Sequence, residues 1–319
     1  MPDLEDLEDL RACLPAQLRA PSTTITKIAV GLSGAGVYKV DAAGEIYVLK
    51  VAADEQPRAQ WSQTIAIQRA AADAGVAPRV IHVDETRRAV VSEFVADRSF
   101  MMWFGNPQTR AAALAELGRT LRRIHDVPIP RGATAQDPLA LLGTIAIRLE
   151  KMSAPRFALD AIHHMLEEAP PPSDRAPVLS HNDVNPTNLV YDGERIVMLD
   201  WDVAAPNDPL YDLAAIAMFL RMDDATARAL LGAHDGVEID ALPPRFAYLR
   251  RLIGVLCGAL GLALARASGY AGAGDETIDR ALALGDFYAQ LRTGAISLAG
   301  AGGRWAFGLA LIKEALTAR

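Results

Sequence analysis

Cysteine, lysine and aromatic residues are all scarce in this chain of 319 residues. The two cysteines, Cys13 and Cys257, are too few for a disulfide framework, and they form no metal-ligand pattern. The chain does not open with a charged segment followed by an apolar run and small residues, so we expect no secretory signal. Both observations favour a reducing, cytoplasmic location.

Excess positive charge and a membrane-length apolar run are also missing. The formal net charge is −7 and the isoelectric point is near 5.4. These values argue against nucleic acid or an anionic membrane surface as a partner. The uncharged stretch Leu252–Ala265 is bounded by Arg251 and Arg266, well short of the roughly 20 apolar residues that a membrane span needs. We therefore expect a buried helix there and no membrane association.

The residues that are present indicate a globular protein whose first hundred residues are rich in strands. Hydrophobic residues make up 51% of the chain, which is enough to bury a large core. A helix from about Pro57 to Ala74, stopped by Gly75, interrupts the predicted strands. Those strands are Ile25–Val30, Gly36–Val40, Glu45–Val51, Arg79–Val83 and Arg88–Val95. A doubly wound sheet would alternate strands and helices regularly, so this order predicts an α+β fold.

The pattern becomes helical after Val95. Asn106–Pro107 offers a capping residue followed by a proline, which is typical of a helix start. One apolar face then follows at helical spacing: Leu114, Leu117, Leu121 and Ile124. Asp208–Pro209 predicts a second helix start by the same logic.

One segment contains residues whose types and spacing suggest proton transfer and metal binding. The polar loop Ser180–Asn188 precedes two apolar runs, and Asp192–Gly193 between these runs predicts a β-hairpin from Asn188 to Asp200. Asn188 and Asp200 should therefore lie at the same open end of two paired strands, with Asp183 in the loop before them. Acidic and amide groups that converge in this way can accept a hydroxyl proton and hold a divalent metal. From the residues alone, a structural polar turn is the alternative.

The same segment resembles a known family. His-x-Asp-x-x-x-x-Asn beginning at His181, followed by a hairpin that ends in Leu-Asp-Trp-Asp, is similar to the aminoglycoside phosphotransferase and choline kinase group of the protein-kinase-like fold. Within that group it looks most like bacterial choline and thiamine kinases. The resemblance implies ATP as the phosphate donor, Asp183 as the catalytic base, and Asn188 and Asp200 as Mg²⁺ ligands. His181 would then orient the loop, and Asp212 would tether it through its backbone. For Asp212 the alternative is a solvated acid at a helix end.

The resemblance also implies two lobes. Residues 1–95 would form a small, β-rich, nucleotide-binding lobe, and residues 96–319 a larger helical lobe with the catalytic and acceptor-binding groups. The glycine-rich segment Gly31–Val40 spans the turn between the first two predicted strands and the second strand itself, and it would place Ser33, Gly34 and Gly36 near the phosphates. A glycine-rich hairpin alone is weak support, because many proteins that bind no nucleotide contain one.

Lys50 is the candidate partner of those phosphates. It is one of only five lysines, and it lies inside the apolar strand Tyr47–Ala52. An ordinary outward-facing strand lysine is the alternative. The resemblance makes Lys50 the phosphate-pairing lysine, and it makes Glu93 and Val95 part of a hinge that offers backbone groups to adenine.

One feature separates this sequence from its apparent relatives. The glutamate that usually holds the lysine is missing from the predicted helix, which offers Gln63 or Thr64, with Glu55 just before it. The loss suggests a nucleotide-binding, pseudokinase-like protein as an alternative to a small-molecule kinase.

The resemblance makes Asp202, two residues after the expected metal ligand, the candidate acceptor-binding residue, because an acid at this place in the family often meets a cationic substrate. The expected acceptor is a small, hydroxylated compound that could be cationic, such as choline, thiamine, an amino alcohol or an aminoglycoside.

Overall fold

The computed structural model describes residues 4–28, 35–53, 56–272 and 274–317. The helices are α1 (Leu4–Ala12), α2 (Arg58–Asp73), α3 (Phe100–Gly105), α4 (Arg110–His125), α5 (Pro138–Lys151), α6 (Arg156–Glu167), α7 (Pro209–Phe219), α8 (Asp224–Asp235), α9 (Pro244–Ala267), α10 (Leu284–Arg292) and α11 (Ala301–Thr317). The strands are β1 (Thr24–Lys27), β2 (Gly36–Ala42), β3 (Glu45–Val51), β4 (Val80–Asp84), β5 (Ala89–Glu93), β6 (Val178–Ser180), β7 (Leu189–Tyr191), β8 (Ile196–Met198) and β9 (Ala205–Asn207). An N-terminal sheet followed by a mostly helical, larger part confirms the predicted α+β fold.

The chain divides into two compact units. The first contains the residues up to Thr134, together with Pro177–Asp212 and Ala229–Ile239. The second contains Ala135–Ala176, Leu213–Arg228 and the residues from Asp240 onward. The two sequence lobes proposed above, with a boundary after Val95, stay a prediction.

An antiparallel five-stranded sheet in the order β1-β2-β3-β5-β4 dominates the start of the first unit. One face packs with α1 through a cluster that includes Leu10 and Leu49. The other face packs with α2 through Trp61, Ile65 and Val90. Because side chains alternate along a strand, Lys50 lies on the opposite face from Leu49. Its cross-strand partner is Val90, so the register places the lysine on the face that α2 covers.

Two short antiparallel pairs follow in the same unit, β6 with β9 and β7 with β8. The β7–β8 hairpin is the one that Asp192–Gly193 predicted. Its turn is closed by Asp192, whose Oδ1 accepts hydrogen bonds from the N–H groups of Glu194 and Arg195, both at 2.8 Å. Helix α4 packs against β6 and β8. The predicted apolar face of α4, from Leu114 to Ile124, is buried.

The start of α4 differs from the prediction. Asn106 and Pro107 were expected to open this helix, but it begins at Arg110. The Oδ1 atom of Asn106 accepts a hydrogen bond from Gln108 N at 3.0 Å, so the side chain caps a separate turn. The short helix α3 precedes that turn, and its start is capped by the Ser99 side chain, which accepts from Met102 N. The strand expected to reach Val95 ends earlier, at Glu93.

Helix α9 is the core of the second unit, where α5, α6 and α11 pack along it. Glycine residues let α9 and α11 approach each other closely, since a Cβ atom added to Gly258 on α9 would lie only 2.7 Å from Gly308 O on α11. Helix α9 is long and apolar enough to cross a membrane, but 56% of its most apolar 18-residue stretch is buried inside the protein. The buried helix expected around Leu252–Ala265 is therefore present.

Candidate active site

The β7–β8 hairpin brings the two ends of the polar segment together. Leu199 N donates to Asn188 O at 2.9 Å, so the antiparallel pairing continues one step beyond the strands. Asp200 follows directly, with a left-handed backbone (φ 62°) that a non-glycine residue seldom adopts. The expected convergence of Asn188 and Asp200 at the open end of the hairpin is confirmed.

The Asp183 carboxylate is fixed by two amides. Asn185 Nδ2 donates to Asp183 Oδ1 at 2.9 Å, and Asn188 Nδ2 donates to Asp183 Oδ2 at 2.8 Å. Asn188 Nδ2 also donates to the backbone oxygen of Asp183 at 3.0 Å. Burial raises the pKa of Asp183 above that of an ordinary aspartate, although these hydrogen bonds oppose the shift. Because Asp183 occupies the amide nitrogen of Asn188, Oδ1 is the atom that Asn188 can offer to a cation.

The Lys50 side chain extends from β3 to the carboxylates of Asp200 and Asp202. Its Nζ lies 2.8 Å from Asp200 Oδ1 and 2.7 Å from Asp202 Oδ2. Burial favours the neutral amine, but the two carboxylates outweigh burial and raise the pKa of Lys50. Burial also acts on Asp200, yet the Lys50 charge prevails and lowers its pKa. Burial prevails at Asp202 and raises its pKa. One ammonium between two carboxylates thus stabilises one anion more than the other.

The sequence left open which residue would anchor Lys50, and the described residues give a different answer. Lys50 pairs with Asp200 and Asp202, and no described hydrogen bond joins it to Gln63 or Thr64. Glu55 lies outside the described residues. Residues that line a small cavity beside Lys50 include Thr64 and also Gln56, Trp61 and Gln68, which the sequence interpretation missed. Gln68 lies one helical turn after Thr64 on the same face of α2.

The remaining nucleotide-site candidates lie around the first sheet. Gly36 is the first residue of β2. A Cβ atom added to it would lie 2.8 Å from the Tyr38 ring. Ser33 and Gly34 lie outside the described residues. Glu93 ends β5; its carboxylate accepts from Arg79 Nε at 2.7 Å, and its N–H donates to Arg79 O at 3.0 Å. Half-buried Val95 lies in the irregular segment between β5 and α3.

Asp212 tethers the polar loop through hydrogen bonds from the loop backbone, as predicted. Asp212 Oδ2 accepts from His181 N at 2.7 Å, and Asp212 Oδ1 accepts from Asn182 N at 2.9 Å. The His181 ring also orients the loop, since its Nε2 donates to Leu199 O at 2.9 Å. The solvated alternative for Asp212 is wrong, because its side chain is fully buried.

Asn182 is a structural residue that the sequence interpretation missed. Its backbone is left-handed (φ 64°), and its Nδ2 donates to Val203 O at 3.0 Å and to Ala205 O at 3.1 Å. Its Oδ1 accepts from Asn207 Nδ2 at 2.7 Å. The loop is therefore fixed to β9 as well as to Asp212. An asparagine beside the candidate base is the signal that could have indicated such a role, since asparagine tolerates this backbone region.

The oxygen atoms at this site can be tested against the requirements of a hard cation such as Mg²⁺. Among the residues described here, no group of three or more His, Cys, Asp or Glu is placed to hold a metal ion. The candidate set is instead one carboxylate, Asp200, and one amide oxygen, Asn188 Oδ1. Magnesium is commonly held by one or two protein oxygens, with water and phosphate oxygens completing its coordination. The residues present fit that arrangement.

Comparisons with solved structures agree with this architecture. A choline/ethanolamine kinase family protein from Mesorhizobium loti is 20% identical with a TM-score of 0.63, over 97% of this chain and 98% of that one. A choline kinase from Streptococcus pneumoniae is 14% identical with a TM-score of 0.56, over 78% and 88%. A spectinomycin phosphotransferase solved with ADP and spectinomycin is 13% identical with a TM-score of 0.61, over 99% of both chains. These likenesses confirm the protein-kinase-like fold.

Sequence comparison gives the family. None of the curated proteins matches the chain. The model of the phosphotransferase enzyme family matches residues 24–249, which is most of the chain and includes the polar loop, the hairpin and Lys50. This chain therefore belongs to the phosphotransferase enzyme family, whose members transfer phosphate to hydroxyl groups, as its sequence motifs predicted.

Proposed function

We propose that this phosphotransferase is a small-molecule kinase that transfers the γ-phosphate of ATP to a hydroxyl group of its acceptor. The observation that carries the proposal is the convergence of Asp183, Asn188, Asp200 and Lys50. Hydrogen bonds of 2.8 Å join Asp183 to Asn188 and Lys50 to Asp200. These groups come from three separate segments of the chain, and each has a chemical type that phosphoryl transfer requires.

Asp183 is the proposed base. Its carboxylate is held rigidly by Asn185 and Asn188, so it can be presented to an acceptor hydroxyl in one orientation. A proton on that hydroxyl would pass to the carboxylate as the oxygen attacks phosphorus. Positioned general bases of this kind contribute roughly 10²–10⁴-fold to a rate.

Asn188 Oδ1 and the Asp200 carboxylate are the proposed ligands of Mg²⁺. When bound, the ion would neutralise charge on the phosphate oxygens of ATP. Lys50, which pairs with both Asp200 and Asp202 here, would contribute its ammonium to the phosphates. Its raised pKa keeps it cationic at neutral pH, as this role requires.

Nucleotide contacts are proposed at two further places. Ser33, Gly34 and Gly36 would offer backbone N–H groups to the phosphates, and the backbone of Glu93 and Val95 would contact adenine. The position of Glu93 at the end of β5 supports the second contact, since the chain leaves the sheet there. Nucleotide use is also supported by the ADP bound in the spectinomycin phosphotransferase. We place the reaction in the cytoplasm.

The acceptor is proposed to be a small hydroxylated compound, with cationic amino alcohols, thiamine and aminoglycosides as the classes to test first. The named substrates of similar structures, choline and spectinomycin, support this choice. Asp202 is the proposed acceptor-facing carboxylate. It would become available to a cation once the phosphates engage Lys50, with which it pairs in this structure.

The test is ADP release from Mg-ATP in the presence of a panel of amino alcohols, thiamine, sugars and aminoglycosides. We expect at least one compound to stimulate release by the unaltered protein and Asp183→Asn to abolish the stimulation. Asp192→Asn is the matched control, because Asp192 closes the hairpin turn away from the four converging groups. Its rate should stay close to that of the unaltered protein.

The same experiment distinguishes the pseudokinase alternative. If no compound stimulates ADP release but Mg-ATP raises the melting temperature, the protein binds nucleotide without transfer, and the kinase proposal is wrong. If Mg-ATP also leaves the melting temperature unchanged, the proposed nucleotide site is wrong as well.

A further inference from the structure

A chain of buried hydrogen bonds runs from the polar loop to α8. Asp212, which accepts the loop N–H groups, lies 3.1 Å from His125 Nε2 through its Oδ2. His125 Nδ1 lies 2.8 Å from His234 Nε2, and His234 Nδ1 lies 2.6 Å from Asp235 Oδ1. The side chains of Asp212, His125 and His234 are all at most 4% exposed. Neither histidine belongs to the sequence motifs or to the four converging groups.

A close helix contact makes this arrangement possible. Gly118 lies seven residues before His125, so both are on the same face of α4. A Cβ atom added to Gly118 would lie 2.6 Å from Ala233 Cβ and 2.9 Å from His234 N. Only glycine lets α8 approach α4 this closely. The contact places the His234 ring edge-on to the His125 ring, with centroids 4.9 Å apart.

The protons in this series of hydrogen bonds can be counted. The side chains are joined by three hydrogen bonds, Asp212–His125, His125–His234 and His234–Asp235, and each bond needs one proton. Two neutral imidazoles carry one N–H each, and ionised carboxylates carry none. All three bonds therefore exist together only when the histidine pair holds one additional proton. That proton gives the pair a charge of +1.

Charge balance supports the same count. Burial alone would raise the pKa of Asp212, but His125, His181 and the loop N–H groups lower it, so the group is an anion. A fully buried carboxylate is costly without a positive partner. The other charged groups that act on His234 are Arg122 on α4, which lowers its pKa, and Asp235 on α8, which raises it.

The pair accepts no second additional proton near neutral pH. Burial and the positive charge of His125 lower the pKa of His234 to about 4. The charge therefore stays at +1 over the range in which one proton is shared.

We propose that His125 and His234 share one additional proton and that this positive pair is the counter-ion of Asp212, which makes both histidines positioning residues for the polar loop. As a device for the reaction, this assignment rests on the proposed function. The protonation count itself does not, because it can be measured without an acceptor or ATP.

The experiment is NMR of the full chain with ¹⁵N-labelled histidine. The protein has six histidines, so the ring nitrogens can be assigned by single substitutions. At pH 7 we expect three protonated nitrogens among the four of His125 and His234. As the pH rises, the loss of the third proton should coincide with weaker protection of the His181 and Asn182 amide protons, measured as their exchange rate relative to that of an unprotected amide at the same pH. A loss of protection of about tenfold would correspond to one weakened charge-assisted hydrogen bond.

Two variants separate charge from simple packing. Asp235→Asn can donate an N–H to His234 Nδ1, so all three bonds form with two neutral rings. The additional proton should then leave at lower pH, and the faster exchange of the loop amides should move to lower pH with it. His234→Gln should remove the shared proton and raise loop exchange at neutral pH. His163→Gln is the control, because His163 makes a 2.8 Å contact with Glu150 on an exposed surface, and neither signal should change.

Two results would overturn the proposal: two neutral rings in the pair at pH 7, or loss of the third proton with no change in the protection of the loop amides relative to unprotected amides at the same pH. A failure of ADP release with the NMR results as expected would instead contradict the kinase proposal alone. If release is observed, Asp235→Asn should move the alkaline limb of kcat to lower pH while the KM for ATP stays unchanged.

Discussion

Replacing Asp212 with asparagine tests how the polar loop is held. The carboxylate accepts from His181 N at 2.7 Å, from His125 Nε2 at 3.1 Å and from Asn182 N at 2.9 Å. Asparagine retains one oxygen acceptor, while its amide nitrogen cannot accept at all. In the less costly orientation, the oxygen would keep the bonds from His181 and His125, and Asn182 N would lose its acceptor.

The magnitude follows from these contacts. A buried N–H without an acceptor costs about 1–3 kcal/mol. The two bonds that remain change from charge-assisted to neutral, which roughly halves each and adds about 1 kcal/mol or more. Asp212→Asn should therefore lower the free energy of unfolding by about 3 kcal/mol, a large part of the roughly 5–15 kcal/mol of a typical domain.

Urea unfolding measures this loss as a lower midpoint at unchanged slope. Asp137→Asn is the matched control, since Asp137 also accepts a backbone hydrogen bond, from Ala140 N at 2.9 Å, but at the exposed start of α5. Asparagine and aspartate cap helices about equally well, so that change should cost less than about 0.5 kcal/mol. A loss below about 1 kcal/mol for Asp212→Asn would refute the reasoning that Asp212 tethers the loop.

Three further predictions concern packing and pH. Gly118→Ala should destabilise the protein by about 1–3 kcal/mol in thermal unfolding, although alanine favours helices, because its Cβ would meet Ala233; unchanged stability would contradict the close contact of α4 and α8. Gly258→Ala should cost a similar, roughly 1–3 kcal/mol amount, because its Cβ would lie 2.7 Å from Gly308 O, and a melting temperature at or above that of the unaltered protein would refute this packing. Stability should also fall between pH 6.5 and about 4, because the unfolded chain protonates His234 in that window and the folded chain does not. The contribution is about 3 kcal/mol, present above pH 6.5, and urea midpoints for His234→Gln should lack this dependence.

Local sequence signals predicted much of the fold. The Asp192–Gly193 turn located the β7–β8 hairpin, and the spacing from Leu114 to Ile124 predicted the buried face of α4. Such elements depend on periodicity and turn chemistry over a few residues. The start of α4 was misplaced because an asparagine followed by proline can cap a turn as readily as a helix, and the structure uses Asn106 in the first way.

The candidate site was predictable where its residues are near one another in the chain. Asp183, Asn188 and Asp200 belong to one hairpin and the loop before it, so their convergence follows from pairing. The partners of Lys50 could not be predicted in the same way, because Asp200 is 150 positions away and its approach depends on tertiary packing. The contact between His125 and His234 spans 109 positions and has no local signal at all.

Kinase activity is tested most directly by transfer of labelled γ-phosphate from Mg-ATP to the acceptor that emerges from the panel, measured in a single turnover. We expect a phosphorylated acceptor with the unaltered protein. We also expect a rate at least about 10²-fold lower for Asp183→Asn, with ATP affinity nearly unchanged. Transfer by Asp183→Asn at the unaltered rate would contradict the assignment of Asp183 as the base.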